Sequence, residues 1–139
     1  MKYTYEYPRP ALTTDVILIC KGEETKVLLI KRANEPYKHC WAFPGGFVDM
    51  HEDLSTGALR ELKEETGIEG ITIHQFRTFG AVDRDPRHRT VSVVYYAFVD
   101  SELSAIAMDD AADVAWFNVD ELPKLAFDHD EILKAFLKN

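Results

Sequence analysis

Three glutamates, Glu61, Glu64 and Glu65, fall inside the stretch Leu54–Thr66, whose apolar residues recur at helical spacing. At about 100° per residue, Leu54, Ala58, Leu59 and Leu62 share one side of that helix. Thr56, Arg60 and Lys63 lie opposite. Glu61 and Glu65, four residues apart, stand at the edge of the apolar stripe, with Glu64 beside Glu61. A like-charge pair at this spacing costs roughly 0.2–0.5 kcal/mol in water, and more where it is partly buried. The three also occupy the second half of the helix, where the macrodipole disfavours anions. A hard divalent cation removes both penalties, because Mg²⁺ prefers carboxylate oxygens and keeps waters that a substrate phosphate can displace. Spacing alone leaves two readings open, a metal-binding face and a solvated acidic face.

The flanking sequence supplies the elements that would hold these carboxylates. Asp53 is placed to cap the helix, and Thr66-Gly67-Ile68 reads as its stop, with Gly67 left-handed and a hydrophobic residue after it. Gly57 costs a helix roughly 1 kcal/mol relative to Ala, which points either to close approach of another backbone or to a neutral substitution. Upstream, Trp41–Gly46 is a short strand entering a tight turn, since Pro44 fixes its own φ and two glycines accept unusual ones. Asp15–Ile19 and Lys26–Lys31 form a hairpin about Gly22-Glu23-Glu24, followed by the polar loop Arg32–Cys40. Downstream, strands Ile71–Phe79 and Thr90–Val99 enclose the polar loop Gly80–Arg89. Thr90–Val99 carries apolar residues on both faces, as a central strand does. Val114–Val119 is a further strand and Asp130–Leu137 a closing amphipathic helix. Mixed strands and helices at this length predict an α/β sandwich.

Composition narrows the partners. The 139 residues fit one domain, spanning 1–139, and the 46% apolar and 29% charged fractions are those of a globular protein. A net charge of −8 argues against a nucleic-acid polymer, which is bound by clustered Lys and Arg. A small phosphorylated ligand bridged by cations remains compatible with it. No apolar run reaches the roughly 18 residues of a membrane span, and Met1–Glu6 lacks the apolar core of a secretion signal. A cytoplasmic protein with reduced Cys20 and Cys40 is expected.

Read with its flanks, the helix forms the pattern Gly46-x₅-Glu52-x₇-Arg60-Glu61-Leu62-Lys63-Glu64-Glu65-Thr66-Gly67-Ile68. This resembles the Nudix box, G-x₅-E-x₇-R-E-U-x-E-E-x-G-U with U aliphatic, at every specified position, and Trp41–Gly45 is similar to the family's approach to it. The resemblance implies a Nudix fold, a mixed β-sheet sandwiched between α-helices, and hydrolysis of a nucleoside diphosphate linked to another moiety. It implies Mg²⁺, or alternatively Mn²⁺, on Glu61, Glu64 and Glu65, with a backbone carbonyl at Gly45 or Gly46 completing the site. Glu52 and Arg60 would brace the loop against the helix. Glu64 is the candidate general base within the box; Asp109, Asp110 and Asp113 are candidates outside it. Asp49 and His51 stand where relatives often carry Glu and Gly, and His51 reads as an exposed loop residue.

Tyr7–Thr13, Phe79–Arg87 and Leu125–His129 are similar to a branch of bacterial ADP-ribose pyrophosphatases and the Nudix domains of regulators of NAD metabolism. That resemblance implies ADP-ribose, cleaved to AMP and ribose 5-phosphate. Pro86 lies slightly later than the proline those pyrophosphatases often carry. Arg84, Arg87 and Arg89 could grip a phosphate or ribose through charge-assisted hydrogen bonds, and Tyr7, Phe47 and Phe79 could stack on adenine. The alternatives are a pyrophosphohydrolase of oxidised nucleoside triphosphates and a module that senses ADP-ribose without cleaving it. With an intact box and an end at Asn139, before any DNA-binding region such regulators carry, the sensing reading is expected to be the weaker. A homodimer is implied by the same analogy.

Overall fold

The computed structural model describes residues 2–139. Its chain order is β1 (Ala11–Lys21), β2 (Thr25–Arg32), β3 (Trp41–Ala42), β4 (Gly45–Phe47), α1 (Leu54–Thr66), β5 (His74–Phe79), β6 (Thr90–Val99), β7 (Ala111–Asn118) and α2 (His129–Leu137). The strands form one mixed sheet ordered β3-β2-β1-β6-β5, with β4 also on β1 and β7 also on β2.

β1 organises the fold. It runs parallel to β6 from Ala11↔Thr90 to Cys20↔Val99, and antiparallel to β2 at one end and β4 at the other. Successive side chains of a strand face opposite ways. Val16 and Leu18 therefore join Ala58 and Leu62 of α1 in one core, while Ile17 and Ile19 join Ile132, Leu133 and Phe136 of α2 in another. β6 alternates likewise, Val93, Tyr95 and Ala97 towards α1 and Val94 towards α2. The expected helix–sheet–helix sandwich is the result, and Thr90–Val99 is central as its pattern predicts.

Boundaries differ where pairing is distant. β1 starts at Ala11 rather than Asp15 because β6 supplies its partners that far down. β5 starts at His74 rather than Ile71; Ile71 and Ile73 instead pack under the α1-side core. β7 starts at Ala111 rather than Val114, since Ala111 and Asp113 already pair with Arg32 and Lys31 across a bulge. α2 begins one residue early, at His129. Trp41–Gly46 is two strands, not one: β3 pairs with β2 and β4 with β1, and between them the Pro44 carbonyl accepts the Val16 N–H at 2.9 Å.

Candidate functional site

α1 starts after Asp53, which is extended, but its side chain makes no capping hydrogen bond; its carbonyl accepts the Gly57 N–H at 2.9 Å. The far end closes as expected, on Gly67 with φ 78°, and Ile68 is buried behind it. Arg60 ties the helix to the loop before it. Its Nη2 and Nε donate to Glu52 at 2.7 and 2.9 Å, and Nη1 to Glu61 at 2.9 Å and Glu64 at 3.2 Å. Another Nη2 bond, 3.2 Å long, reaches the Phe47 carbonyl. The Arg60 hydrogen bonds hold the Glu52 carboxyl down at about 2. Gly57 is explained by a side chain rather than a backbone, since a Cβ there would lie 2.9 Å from Glu52 Oε1.

Glu65 is 6% exposed, and its Oε1 accepts the Gly45 N–H at 2.9 Å. Burial pushes its carboxyl from 4.5 up to about 8, and Glu61 and Asp15 add to the effect. Burial also raises Glu61, against the pull of Arg60. Gly46 makes room for that carboxylate: a Cβ there would sit 2.6 Å from Glu61 Cδ.

Glu61, Glu65, Asp49 and Asp110 line a cleft of about 430 Å³. Cationic and aromatic side chains line the same cleft. The Arg32 guanidinium lies 5.0 Å from the Phe127 ring centre, and that of Arg87 lies 5.3 Å from Phe47 and 5.8 Å from Phe127. Arg87 is already paired with Asp85, through bonds of 3.0 and 2.8 Å, and buried Arg84 is held by Asp128 at 3.0 and 2.8 Å. Arg32 donates from Nε to the Pro36 carbonyl at 2.8 Å and has no carboxylate partner among the described residues. Burial first, and Arg87 second, lower its pKa. Phe127 reaches the cleft from a left-handed backbone, φ 52°.

A NUDIX domain model matches residues 10–136. The chain belongs to the Nudix family. Over 133 residues it is 40% identical to an ADP-ribose pyrophosphatase of Methanocaldococcus jannaschii, covering 95% of this chain and 76% of that one. It is 35% identical to the ADPR responsive transcriptional repressor NtrR of Acinetobacter baylyi, covering 93% of this chain but only 54% of the repressor. Among solved structures, the NUDIX domain of Shewanella oneidensis NrtR complexed with ADP ribose superposes with TM-score 0.87 at 32% identity, over 95% of this chain and 89% of that one. A bifunctional NMN adenylyltransferase/ADP ribose pyrophosphatase of Francisella tularensis, complexed with AMP and a Mn ion, gives TM-score 0.84 at 28% identity, covering 96% of this chain and 43% of that one. The α/β Nudix fold and the assignment to the Nudix hydrolases, both implied by the box, are thereby borne out.

The box residues fit a divalent cation. Among the described residues no three His, Cys, Asp or Glu side chains are already gathered at coordination distance. The donor chemistry nonetheless suits one: Glu61, half-buried, and Glu65, buried, are hard oxygen donors whose pKa values are raised chiefly by loss of solvent. Only part of the Nudix site predicted from sequence comes together. Glu61, Glu65, Gly46, Phe47, Arg84 and Arg87 line the cleft. Glu52 and Arg60 stand behind it as a brace. Glu64 does not line it and is turned to Arg60. Arg89 is exposed and donates to the Gly80 carbonyl at 3.1 Å, away from the cleft. Asp110 lies on the cleft; Asp113 accepts the Val114 N–H instead. Tyr7 is 71% exposed and Phe79 packs in the α2-side core. Arg32, Phe127 and His129 line the cleft unforeseen. Arg32 ends a strand beside Lys31 with nothing in its spacing to set it apart, and the left-handed turn at Phe127 has no glycine to announce it.

Proposed function

We propose that this chain hydrolyses ADP-ribose to AMP and ribose 5-phosphate with Mg²⁺ held by Glu61 and Glu65, Mn²⁺ being an alternative ion. The observation that carries the reading is one cleft that brings the carboxylates Glu61, Glu65 and Asp110 together with Arg32, Phe47 and Phe127. A diphosphate joining a base-bearing half to a sugar phosphate suits that combination. The M. jannaschii relative and the two nucleotide-bound neighbours support the choice of substrate.

The roles follow from position. When bound, a divalent cation screens the diphosphate and acidifies a water. The Gly45 N–H holds Oε1 of Glu65 and leaves Oε2 without a hydrogen bond among the described residues, free for a cation. Arg60 holds Glu61 from behind and Glu52 holds Arg60, which keeps the carboxylate oriented. Arg32, the cation of the cleft without a carboxylate partner, binds a phosphate oxygen. Arg84 and Arg87 shape the substrate loop through Asp128 and Asp85, and Phe47 and Phe127 offer ring faces to the base. Asp110, on the cleft, accepts the proton of the attacking water at a carboxylate oxygen, whereas Glu64 steadies Arg60. A homodimer, carried over from the family resemblance, and a cytoplasmic location complete the reading; both cysteines are free, and no described helix is long and apolar enough to cross a membrane.

A substrate panel tests it. With Mg²⁺, ADP-ribose should be turned over, and Asp110→Asn should lower kcat roughly 100-fold while Glu64→Gln lowers it less. Turnover of 8-oxo-dGTP with ADP-ribose inert would sink the substrate assignment, and binding of ADP-ribose without turnover would leave a sensor. Elution at 15.9 kDa on size exclusion would remove the homodimer.

A further inference from the structure

His129 belongs to no box and lies at the start of α2, yet it is 4% exposed at the back of the cleft. Its Nδ1 accepts the Phe43 N–H at 3.1 Å, and its ring stacks on Phe43 with centres 4.7 Å apart and planes 23° from parallel. Because Nδ1 accepts, the ring proton sits on Nε2. That nitrogen faces Asp15 Oδ2 at 3.8 Å, too far for a hydrogen bond, and the same oxygen accepts the Ser92 hydroxyl. The Phe43 amide is therefore the group to which the ring is bound.

Phe43 is two residues from Gly45. The segment Phe43-Pro44-Gly45 is pinned once per residue, by a different element each time. α2 takes the Phe43 N–H through His129, β1 donates the Val16 N–H to the Pro44 carbonyl at 2.9 Å, and α1 takes the Gly45 N–H through Glu65 at 2.9 Å. Pro44 has no N–H of its own to add. The fit is close, since a Cβ on Gly45 would lie 2.1 Å from the Thr14 carbonyl. Without the His129 bond, Phe43 keeps only the packing of its buried ring against α2, and the Pro44 carbonyl makes the one hydrogen bond left before the amide that orients Glu65.

We infer that His129 is a positioning residue for hydrolysis, holding Phe43-Pro44-Gly45 so that the Gly45 amide fixes the Glu65 carboxylate towards the cleft. The inference rests on the proposed role of Glu65 as a cation ligand. Outer groups of this kind change metal affinity roughly 10- to 100-fold when removed, and misplacing a reacting group by about 1 Å can cost roughly 100-fold in rate.

Two amide substitutions separate this role from simple packing. The Oδ1 of Asn hangs from Cγ as Nδ1 does and keeps an acceptor for Phe43. Gln sets its amide near the place of Nε2, keeping a donor towards Asp15 and leaving the Phe43 N–H without an acceptor. Mn²⁺ binding without substrate, read by electron paramagnetic resonance on the full chain, is measured beside kcat and KM for ADP-ribose. H129N should stay within roughly threefold of wild type, while H129Q should bind Mn²⁺ roughly tenfold more weakly and lose roughly 100-fold in kcat at little-changed KM. H129Q matching wild type, or H129N losing as much as H129Q, would overturn the inference. If H129Q fails to fold, H129N decides, since a loss beyond roughly tenfold in Mn²⁺ affinity contradicts it. A wild-type chain that binds no Mn²⁺ would remove the proposed function and this inference together; normal wild-type binding with H129Q unaffected removes the inference alone.

Discussion

Replacing Glu65 by Gln should make the metal-free protein more stable, although it removes a group central to the site. The carboxyl is buried, and burial moves it from 4.5 to about 8. The sign follows from linkage. A carboxyl whose folded value is raised binds its proton more tightly in the native state, so its contribution is fully favourable below pH 4.5 and is lost as pH rises through about 8. Each pH unit in that window costs about 1.4 kcal/mol, so the loss is on the order of 3 kcal/mol at pH 7 and approaches roughly 5 kcal/mol above pH 8. Relaxation of the pocket will reduce this, and half is a fair working value. Gln keeps an oxygen for the Gly45 N–H, and its NH₂ meets the acidic surroundings of Glu61, Asp15 and Asp110 that oppose the charge of Glu65.

The assay is thermal unfolding in EDTA from pH 5 to 9, wild type against E65Q. At pH 8 the variant should melt higher by roughly 6 °C or more, taking about 3 °C per kcal/mol for a chain of this size. Near pH 5 the two should converge. Buried His129, whose pKa is lowered by burial, loses stability only as pH falls below its ordinary 6.5, and it does so equally in both proteins. Adding Mg²⁺ should raise the wild-type melting temperature and leave that of E65Q nearly unmoved. If E65Q melts at or below wild type at pH 8 in EDTA, burial is not what raises Glu65, and the electrostatic case for a cation there fails.

Two further outcomes test the walls of the cleft. Arg32→Ala should raise KM for ADP-ribose roughly tenfold or more with kcat less affected, as expected for loss of a charge-assisted phosphate bond, while exposed Arg89→Ala should change neither beyond about twofold in steady-state kinetics. Gly46→Ala should raise the Mg²⁺ concentration for half-maximal activity at least roughly tenfold, because its Cβ would fall 2.6 Å from Glu61 Cδ, yet far-UV dichroism should show an unchanged fold.

What sequence could reveal here divides by range. The helix Leu54–Thr66, its Gly67 stop and the order of its carboxylates are local, and they were legible to the residue because helical periodicity and capping chemistry act over a few positions. The arginine loop is legible in position but not in its pairing. Arg84 and Arg87 look free in a polar stretch, yet Asp128 and Asp85 neutralise them, and one of those partners is 44 residues away. The start of β1 at Ala11 depends on Thr90, and the role of His129 depends on Phe43, 86 residues away. No window of local pattern contains such pairs.

Those distant pairs also settle how an acidic chain can hold an anionic substrate. Of the three arginines on the cleft, Asp128 and Asp85 neutralise two, leaving Arg32 among Asp15, Glu35, Asp110 and Glu65, while Arg60 from behind pairs with both Glu61 and Asp49. In that balance a diphosphate entering alone meets more negative charge than positive, in a site where reduced solvent strengthens both. A divalent cation held by Glu61 and Glu65 would reverse that balance. The affinities of cation and diphosphate are therefore coupled, and each must strengthen the other by the same factor. On this argument the paired arginines are scaffolding for the loop, and the charge that draws in the substrate comes from Arg32 and from whatever ion Glu61 and Glu65 take up.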